Sequence, residues 1–105
     1  MSKKSHDLLD ETIHQRTRLA IMASLSAVES LGFHDLKSQL GLTDGNLSTH
    51  LSALERAGYV TCRKFFVGKK PRTTVAQTSA GRKAMERYVN LLQGIIHQAN
   101  GKDVV

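Results

Sequence analysis

The sequence has little cysteine, little proline and no long apolar run. Cys62 is its single cysteine, which excludes an internal disulfide and a metal cluster held by cysteines alone. No apolar stretch approaches the roughly 20 residues that a membrane-spanning helix needs. The basic residues near the N-terminus are not followed by a long apolar segment, so a signal peptide is not indicated. We therefore expect an intracellular, cytoplasmic protein that does not bind membranes.

Catalytic and metal-binding motifs are also missing from the sequence. The five histidines are scattered, and none forms a His-x-x-x-His pair. There is no glycine-rich phosphate loop, no G-x-S-x-G elbow and no prominent pair of acids. We expect neither an enzyme nor a protein with a metal or another cofactor. Cys62 is interpreted as a small buried side chain rather than a thiol sensor.

The length and composition fit one small globular domain. The chain has 105 residues, of which 40% are hydrophobic and 23% charged. Two independent cores would not fit into this length, and the composition is not that of a disordered chain. We expect a single domain over residues 1–105, with frayed ends at residues 1–6 and 100–105.

The positive charge is concentrated in one stretch. The net charge is +6, and residues 63–83 contain seven basic and no acidic residues, while the rest of the chain has a net charge of −1. Such a local excess suits a polyanion, which could be DNA, RNA or an acidic membrane surface. A solvated basic face that only keeps the protein soluble is the alternative.

The apolar spacing predicts helices in the first half of the chain. A first helix is predicted from Leu8 to Ser26, with Asp7 as a possible N-cap. The polar residues 15–18 interrupt its apolar stripe, so it is either one kinked helix or two helices. Asp35 is a plausible N-cap for a short second helix over residues 36–40.

The next segment predicts a helix-turn-helix and then a hairpin. Thr43 can cap a third helix that runs to Ala57, and the short turn before it contains Gly41. Strands are predicted over residues 59–66 and 72–78, with a turn over 67–71, and Thr78 or Ser79 then caps a last helix to about residue 99. This order predicts a mainly α fold with a β-hairpin wing (α+β), which is a winged helix-turn-helix.

The third helix has two contrasting faces. Leu47, Leu51 and Leu54 share the face that must pack on the core. The remaining surface is slim and polar, which suits entry into the major groove of DNA. The candidate DNA-binding residues of this segment are Thr43, Gly45, Asn46, Ser48, Thr49, His50, Ser52 and Arg56. An ordinary amphipathic surface helix is the alternative.

The predicted hairpin adds cations. Phosphate or minor-groove contacts are expected from Arg63, Lys64, Lys69, Lys70 and Arg72. Lysine and proline on a hairpin also prevent pairing of its edge with another strand, and both roles are compatible.

The last helix carries a wide apolar stripe that one small core cannot cover. Burial against a second subunit would cover it, and we expect a homodimer joined by the terminal helices. The candidate interface residues are Leu8, Leu9, Ile13, Met85, Tyr88, Val89, Leu92, Ile95 and Ile96. Packing of the last helix on the first helix within one chain is the alternative.

Several of these segments resemble a known family. The run LTDGNLSTHL (42–51), the run LERAGYV (54–60), the segment FVGKKPRT (66–73) and the run TSAGR (78–82) are similar to the recognition helix, wing and last helix of small stand-alone winged-helix transcriptional regulators related to the MarR and ArsR groups. The resemblance extends from about Leu8 to Leu92. It implies a repressor-like DNA-binding protein, usually a homodimer, from a bacterium or archaeon.

The sequence departs from this family at two points. Gln77 stands where the family usually has leucine, and a buried glutamine would need a hydrogen-bonding partner. Metal-sensing ArsR relatives carry paired cysteines in the helix-turn-helix, and this chain has none there.

We therefore expect a sequence-specific regulator that binds double-stranded DNA as a homodimer and is associated with the nucleoid when bound. The alternative is a winged-helix module that binds other proteins and contacts nucleic acid only loosely. The sequence names no small-molecule effector. Because it shows no separate ligand domain, an effector would have to bind at the dimer interface.

Overall fold

A computed structural model describes residues 5–100, and its elements follow the predicted order. The chain starts with a 3-10 turn, Ser5–Leu8, and continues with α1 (Arg16–Ser26), β1 (Leu31–Gly32), α2 (Phe33–Leu40), α3 (Asp44–Arg56), β2 (Val60–Val67), β3 (Lys70–Gln77) and α4 (Ser79–Ala99). The three strands form an antiparallel sheet in the order β1-β3-β2. The predicted winged-helix fold is confirmed.

Both ends of the described chain belong to regular secondary structure. Ser5 and His6 fall in the 3-10 turn, and Asn100 is the C-cap of α4. The rest of the ends that we expected to fray, 1–4 and 101–105, lie outside the described residues. No helix within residues 5–100 is long and apolar enough to span a membrane.

The first helix begins later than predicted. Asp7 lies inside the 3-10 turn, and the segment up to Gln15 is not α-helical. Asp10 Oδ1 accepts hydrogen bonds from the backbone N–H groups of Thr12 and Ile13, which holds a turn there. Gln15 Oε1 accepts from Arg18 N at 2.8 Å and caps α1. The prediction of a helix from Leu8 was wrong because polar side chains compete for the backbone donors.

Helix α2 also begins differently. It starts at Phe33, with Gly32 as an N-cap that offers no side chain. The prediction of Asp35 as N-cap was therefore wrong, and Asp35 instead lies in the first turn, where a carboxylate suits the helix dipole. The predicted cap of α3 is confirmed, because Thr43 Oγ1 accepts from Asn46 N at 3.1 Å.

The hairpin turn is tighter than predicted. Val67 pairs with Lys70, so the turn contains only Gly68 and Lys69 rather than residues 67–71. Gly68 has a φ of +64°, a conformation that glycine adopts without a steric penalty. Pro71 belongs to β3 but lies beyond the residues of β3 that pair with β1. Its missing N–H therefore removes no hydrogen bond between β3 and β1.

The main core lies where α1, α2 and α3 meet the sheet. Its buried side chains are Ile21, Met22, Leu25, Leu36, Leu47, Leu51, Leu54, Val60 and Val75. A second, smaller cluster packs the segment before α1 against α4 and consists of Leu9, Ile13, Ala84 and Tyr88.

The second cluster contains part of the expected subunit interface. Leu9, Ile13 and Tyr88 are buried within a single chain, so they do not need a partner to cover them. For these three residues the structure favours the alternative of packing within one chain. Leu8 and Ile96 remain about half exposed, and Val89 is also exposed. The homodimer itself stays a prediction.

The unusual glutamine has the partners that its burial requires. Gln77 is buried, and its Nε2 donates to the carbonyl oxygen of Met22 at 3.1 Å and to Ser26 Oγ at 3.2 Å. Both partners belong to the second half of α1. A polar residue therefore ties β3 to α1 at a position where leucine would contribute only packing.

The start of α4 is held close to the loop before β2. Thr78 N donates to the carbonyl oxygen of Tyr59 at 3.0 Å, and Thr78 Oγ1 caps α4 by accepting from Gly81 N. A Cβ atom at Gly81 would lie 2.2 Å from the carbonyl oxygen of Tyr59. Only glycine fits this contact without a shift of the backbone.

We predict that Gly81→Ala destabilises the protein, because the new methyl group meets backbone atoms that cannot move aside independently. Overpacking of this kind costs about 1–3 kcal/mol. Gly94→Ala is the matched control: it lies in the same helix with no atom within 4 Å of a new Cβ, so it should stabilise by about 0.5–1 kcal/mol. Urea unfolding followed by circular dichroism measures both, and equal free energies of unfolding for the two variants would contradict the contact.

Candidate nucleic-acid interface

One face of α3 is buried in the core, and this leaves the opposite face exposed. Leu47 and Leu54 are fully buried and Leu51 nearly so. The predicted contact residues on the other side are exposed: Gly45, Asn46, Ser48, Thr49, Ser52 and Arg56. Between Gly45 and Leu54 the helix carries no acidic side chain. A slim surface of small donors and acceptors is what a major groove can accommodate.

Two predicted contact residues already have partners in the protein. The hydroxyl of Thr43 serves as the α3 cap. His50 is half-buried, and its Nδ1 lies 3.3 Å from Nη1 of Arg18. Because arginine has only donors, Nδ1 accepts and the proton of the neutral ring sits on Nε2. Arg18 Nε in turn donates to the carbonyl oxygen of Thr12, so this side chain is fixed.

Arg18 is a residue that sequence reasoning missed. It lies 32 positions from His50, and only the packing of α1 against α3 brings the two together. Burial first, and the charge of Arg18 second, lower the pKa of His50 below its ordinary value. His50 therefore favours its neutral form at the edge of the recognition face.

The predicted hairpin cations are all exposed, but they do not share one face. Lys64 pairs with Thr73 on the side of the sheet that carries buried Val75. Arg63 and Arg72 point to the opposite side, because neighbouring residues of a strand alternate between faces. Lys69 is in the turn. The hairpin thus presents positive charge in several directions.

The basic stretch of the sequence does not fold into one patch. Arg63, Lys64, Lys69, Lys70 and Arg72 lie on the hairpin. Arg82 and Lys83 lie in the first turns of α4, which follows the end of β3 distant from the turn. Most of the positive charge of this stretch is therefore on the hairpin, and the remainder is on α4.

A groove of about 400 Å³ joins α3 to the hairpin. It brings together three of the predicted contact residues, Ser48, Ser52 and Lys64. The rest of its lining is formed by Phe33, Leu51, Glu55, Cys62 and Thr73. Helix and hairpin therefore present one continuous surface to a ligand that lies along α3.

Cys62 is half-buried in this groove. Burial raises the pKa of its thiol to about 11, and the Glu55 carboxylate adds to the shift. The thiol stays protonated at neutral pH, which disfavours oxidation and metal binding. This favours the interpretation of Cys62 as a packing side chain. Within residues 5–100 no group of three or more histidine, cysteine or acidic side chains is placed to hold a metal ion.

Sequence reasoning also missed three apolar side chains near the hairpin turn. Phe65, Phe66 and Val67 are exposed, and Phe66 has 72% of its surface accessible. Their high β-propensity predicted a strand. The sequence pattern did not show whether this part of the strand packs on the core or projects beyond it.

An exposed helix face of small polar side chains beside a cationic hairpin is typical of a winged-helix DNA-binding protein. The comparison with protein families agrees: the family model of the winged helix DNA-binding domain matches residues 17–96. The chain therefore belongs to this family. The predicted likeness to small winged-helix transcriptional regulators is confirmed.

Relatives of the chain are archaeal and bacterial. The structure of a transcriptional regulator homologue from Pyrococcus horikoshii is 31% identical, covers 86% of this chain and 89% of that one, and has a TM-score of 0.80. A MarR-family regulator from Enterococcus faecalis is 23% identical over 100% and 96% of the two chains, with a TM-score of 0.75. An uncharacterized protein of Methanocaldococcus jannaschii is 39% identical over 69% of this chain and 78% of its own length.

We predict that Arg18→Met raises the pKa of His50 toward its ordinary value, because the variant removes the cation but keeps a long apolar stem. NMR titration of the His50 ring measures the change. Arg56→Met is the control. Arg56 lies on α3, as His50 does, but six residues further along, so its removal should leave the pKa of His50 unaltered. In the native protein, the lowered pKa means that the folded state binds the proton more weakly. Stability should therefore fall as the pH drops through the folded-state pKa. An unchanged His50 titration in Arg18→Met would contradict the coupling.

Proposed function

We propose that this chain is a sequence-specific regulator that binds double-stranded DNA as a homodimer. Helix α3 enters the major groove, and the hairpin lies along the backbone and minor groove. The observation that carries this proposal is the exposed polar face of α3, which has no acidic side chain between Gly45 and Leu54 and is joined by one groove to the cationic hairpin.

The first half of α3 supplies the base contacts. Asn46, Ser48 and Thr49 are exposed, and each offers both a donor and an acceptor. The amide of Asn46 is available because only its backbone N–H takes part in the cap. A well-placed contact of this kind discriminates between bases by about 1–3 kcal/mol.

The acidic residue at the start of α3 is neutralised locally. The Asp44 carboxylate lies 3.0 Å from Nζ of Lys37, which belongs to α2. This exposed pair contributes little to stability. Its role is to reduce the repulsion of DNA phosphates near the N-terminus of α3, where the helix dipole favours an anion.

The hairpin cations supply affinity rather than sequence choice. Lys69, Lys70 and Arg72 are exposed near the turn, and no acidic residue occurs between positions 63 and 83. Long cations in this position neutralise phosphates, and each neutralised phosphate steepens the salt dependence of binding.

The exposed apolar residues of α4 support a homodimer. Val89 and Ile96 lie on this helix and remain exposed, while Leu92 and Ile95 are half-buried. A second copy that covers them would place two α3 helices on the two halves of a symmetric site. The proposal includes repressor-like action and association with the nucleoid. The alternative of a protein-interaction module predicts no discrete DNA complex.

We predict different effects from the helix and the hairpin. Thr49→Ala should weaken binding to a duplex selected from random sequence more than binding to unrelated DNA, because it removes a base contact. Lys69→Ala with Lys70→Ala should weaken both similarly. It should also reduce the slope of log affinity against log salt by about 0.9 for each phosphate that the variant no longer neutralises.

Fluorescence anisotropy over a salt series measures both effects. Arg82→Ala with Lys83→Ala is the matched control, because it also removes two positive charges and both residues lie on α4 rather than on the hairpin. If no selected duplex forms a discrete complex, the proposal of a DNA-binding regulator is contradicted, and the alternative of a protein-interaction module is favoured.

We predict that Ile96→Glu yields monomers, because a charge in a dry apolar interface lacks a partner. Gln98→Glu is the control: it adds the same charge about 200° around α4, on the other side of the helix. Sedimentation equilibrium at micromolar concentration measures the mass. A monomeric native protein, or a dimeric Ile96→Glu variant, would contradict the α4 interface.

A further inference from the structure

The end of the hairpin carries an aromatic side chain that the fold does not use. We call residues 66–71 the wing tip. Phe66 is 72% exposed, the highest value among the exposed large apolar side chains of residues 5–100. Phe33, by contrast, packs against the main core. An exposed aromatic ring at a projecting turn marks a site of interaction rather than of folding.

Pairing within the hairpin does not account for this residue. Phe66 lies opposite Pro71 in the register, and the two residues share a face of the ribbon. With Pro71 opposite, 72% of the Phe66 surface is still accessible. The turn is set by Gly68, so the hairpin geometry does not require an aromatic residue here.

The position of Phe66 relates it to the recognition helix. Strand residues two apart share a face, so Phe66 lies on the same side of β2 as Lys64 and Cys62. Lys64 lines the groove with Ser48 and Ser52 of α3. Phe66 extends this side of the hairpin by one step toward the turn. A duplex that lies on α3 would meet this ring next to the groove.

The charges around Phe66 favour a nucleic acid as its partner. Lys64 precedes it on the same face of the hairpin, and Lys69 follows in the turn. No acidic residue lies within the hairpin. Cations on both sides of an apolar ring match a minor groove, where phosphates line both edges and the base steps lie between them. Proteins that bind this groove insert apolar side chains between base steps and bend the duplex by about 20–90°.

We propose that Phe66 is an apolar wedge that enters the minor groove of the bound duplex and partly unstacks one base step. The proposal rests on the function proposed above and adds a bend to it. Phe66 contributes shape-dependent recognition, because flexible pyrimidine–purine steps unstack more readily than others. The cations of the wing tip hold the phosphates beside that step.

The test uses the full chain and the duplex recovered by selection from random sequence. 2-Aminopurine replaces one adenine at a time, because its fluorescence rises when it unstacks. The variants are Phe66→Ala, Phe66→Leu and Phe65→Ala. Phe65→Ala is the matched control, since it removes the neighbouring ring on the opposite face of the hairpin. End-to-end energy transfer between dyes on the duplex measures the bend.

The native protein is expected to unstack one step beside the α3 footprint and to bend the duplex. It should also bind on the order of tenfold more tightly when that step contains a mismatch, since the unstacking is already accomplished. Phe66→Ala should lose the fluorescence rise, the bend and the mismatch preference, with the salt dependence unchanged. Phe66→Leu should retain part of each, and Phe65→Ala should retain all three.

Three results would overturn the wedge. Phe66→Ala could distort the duplex as the native protein does, in which case the regulator stands without it. The native protein could form no discrete complex, which would contradict the regulator as well. Phe66→Ala could instead lose binding to phosphatidylserine vesicles while its DNA distortion is unchanged, which would assign the ring to a membrane surface.

Discussion

The outward face of α3 depends on the burial of three leucines. Leu47, Leu51 and Leu54 fill the space between α1, α2 and the sheet, and they leave the helix only one possible rotation about its axis. Replacing a buried leucine by alanine costs about 2–5 kcal/mol, so this rotation is strongly fixed. The polar side chains on the other side contribute little to stability. Their exposure is a consequence of the core, which allows them to be selected for contact with a ligand.

The hairpin and the last helix are joined by backbone contacts at one point. Tyr59 precedes β2, and its carbonyl oxygen receives the N–H of Thr78 at the end of β3. Gly81, in the first turn of α4, lies against the same carbonyl group. Gln77 ties the adjacent end of β3 to α1. These contacts fix the direction in which α4 leaves the sheet, and hence how an α4 interface would orient two DNA-binding faces.

The cationic stretch of the sequence shows why position along a chain is a poor guide to position in space. A strand reverses the facing of each successive side chain, so Arg63 and Lys64 point to opposite sides of the hairpin. Arg82 belongs to α4 and leaves the hairpin altogether. What distinguishes the wing tip is the combination of Lys69 and Lys70 with an exposed ring at Phe66. Charge alone would bind any polyanion, and the added ring favours a groove in which stacked bases lie between two rows of phosphates.

Local patterns in the sequence determined the fold class, the cap at Thr43, the inward face of α3 and its exposed polar face, because each depends on residues within one or two turns. The start of α1 was misjudged because Asp10 and Gln15 redirect backbone donors, a competition that apolar periodicity does not record. Only the tertiary structure decided the pairing of Arg18 with His50, the partners of Gln77 and the burial of Tyr88, since each joins residues more than thirty positions apart. Such contacts depend on how whole elements pack, and no local pattern contains that information.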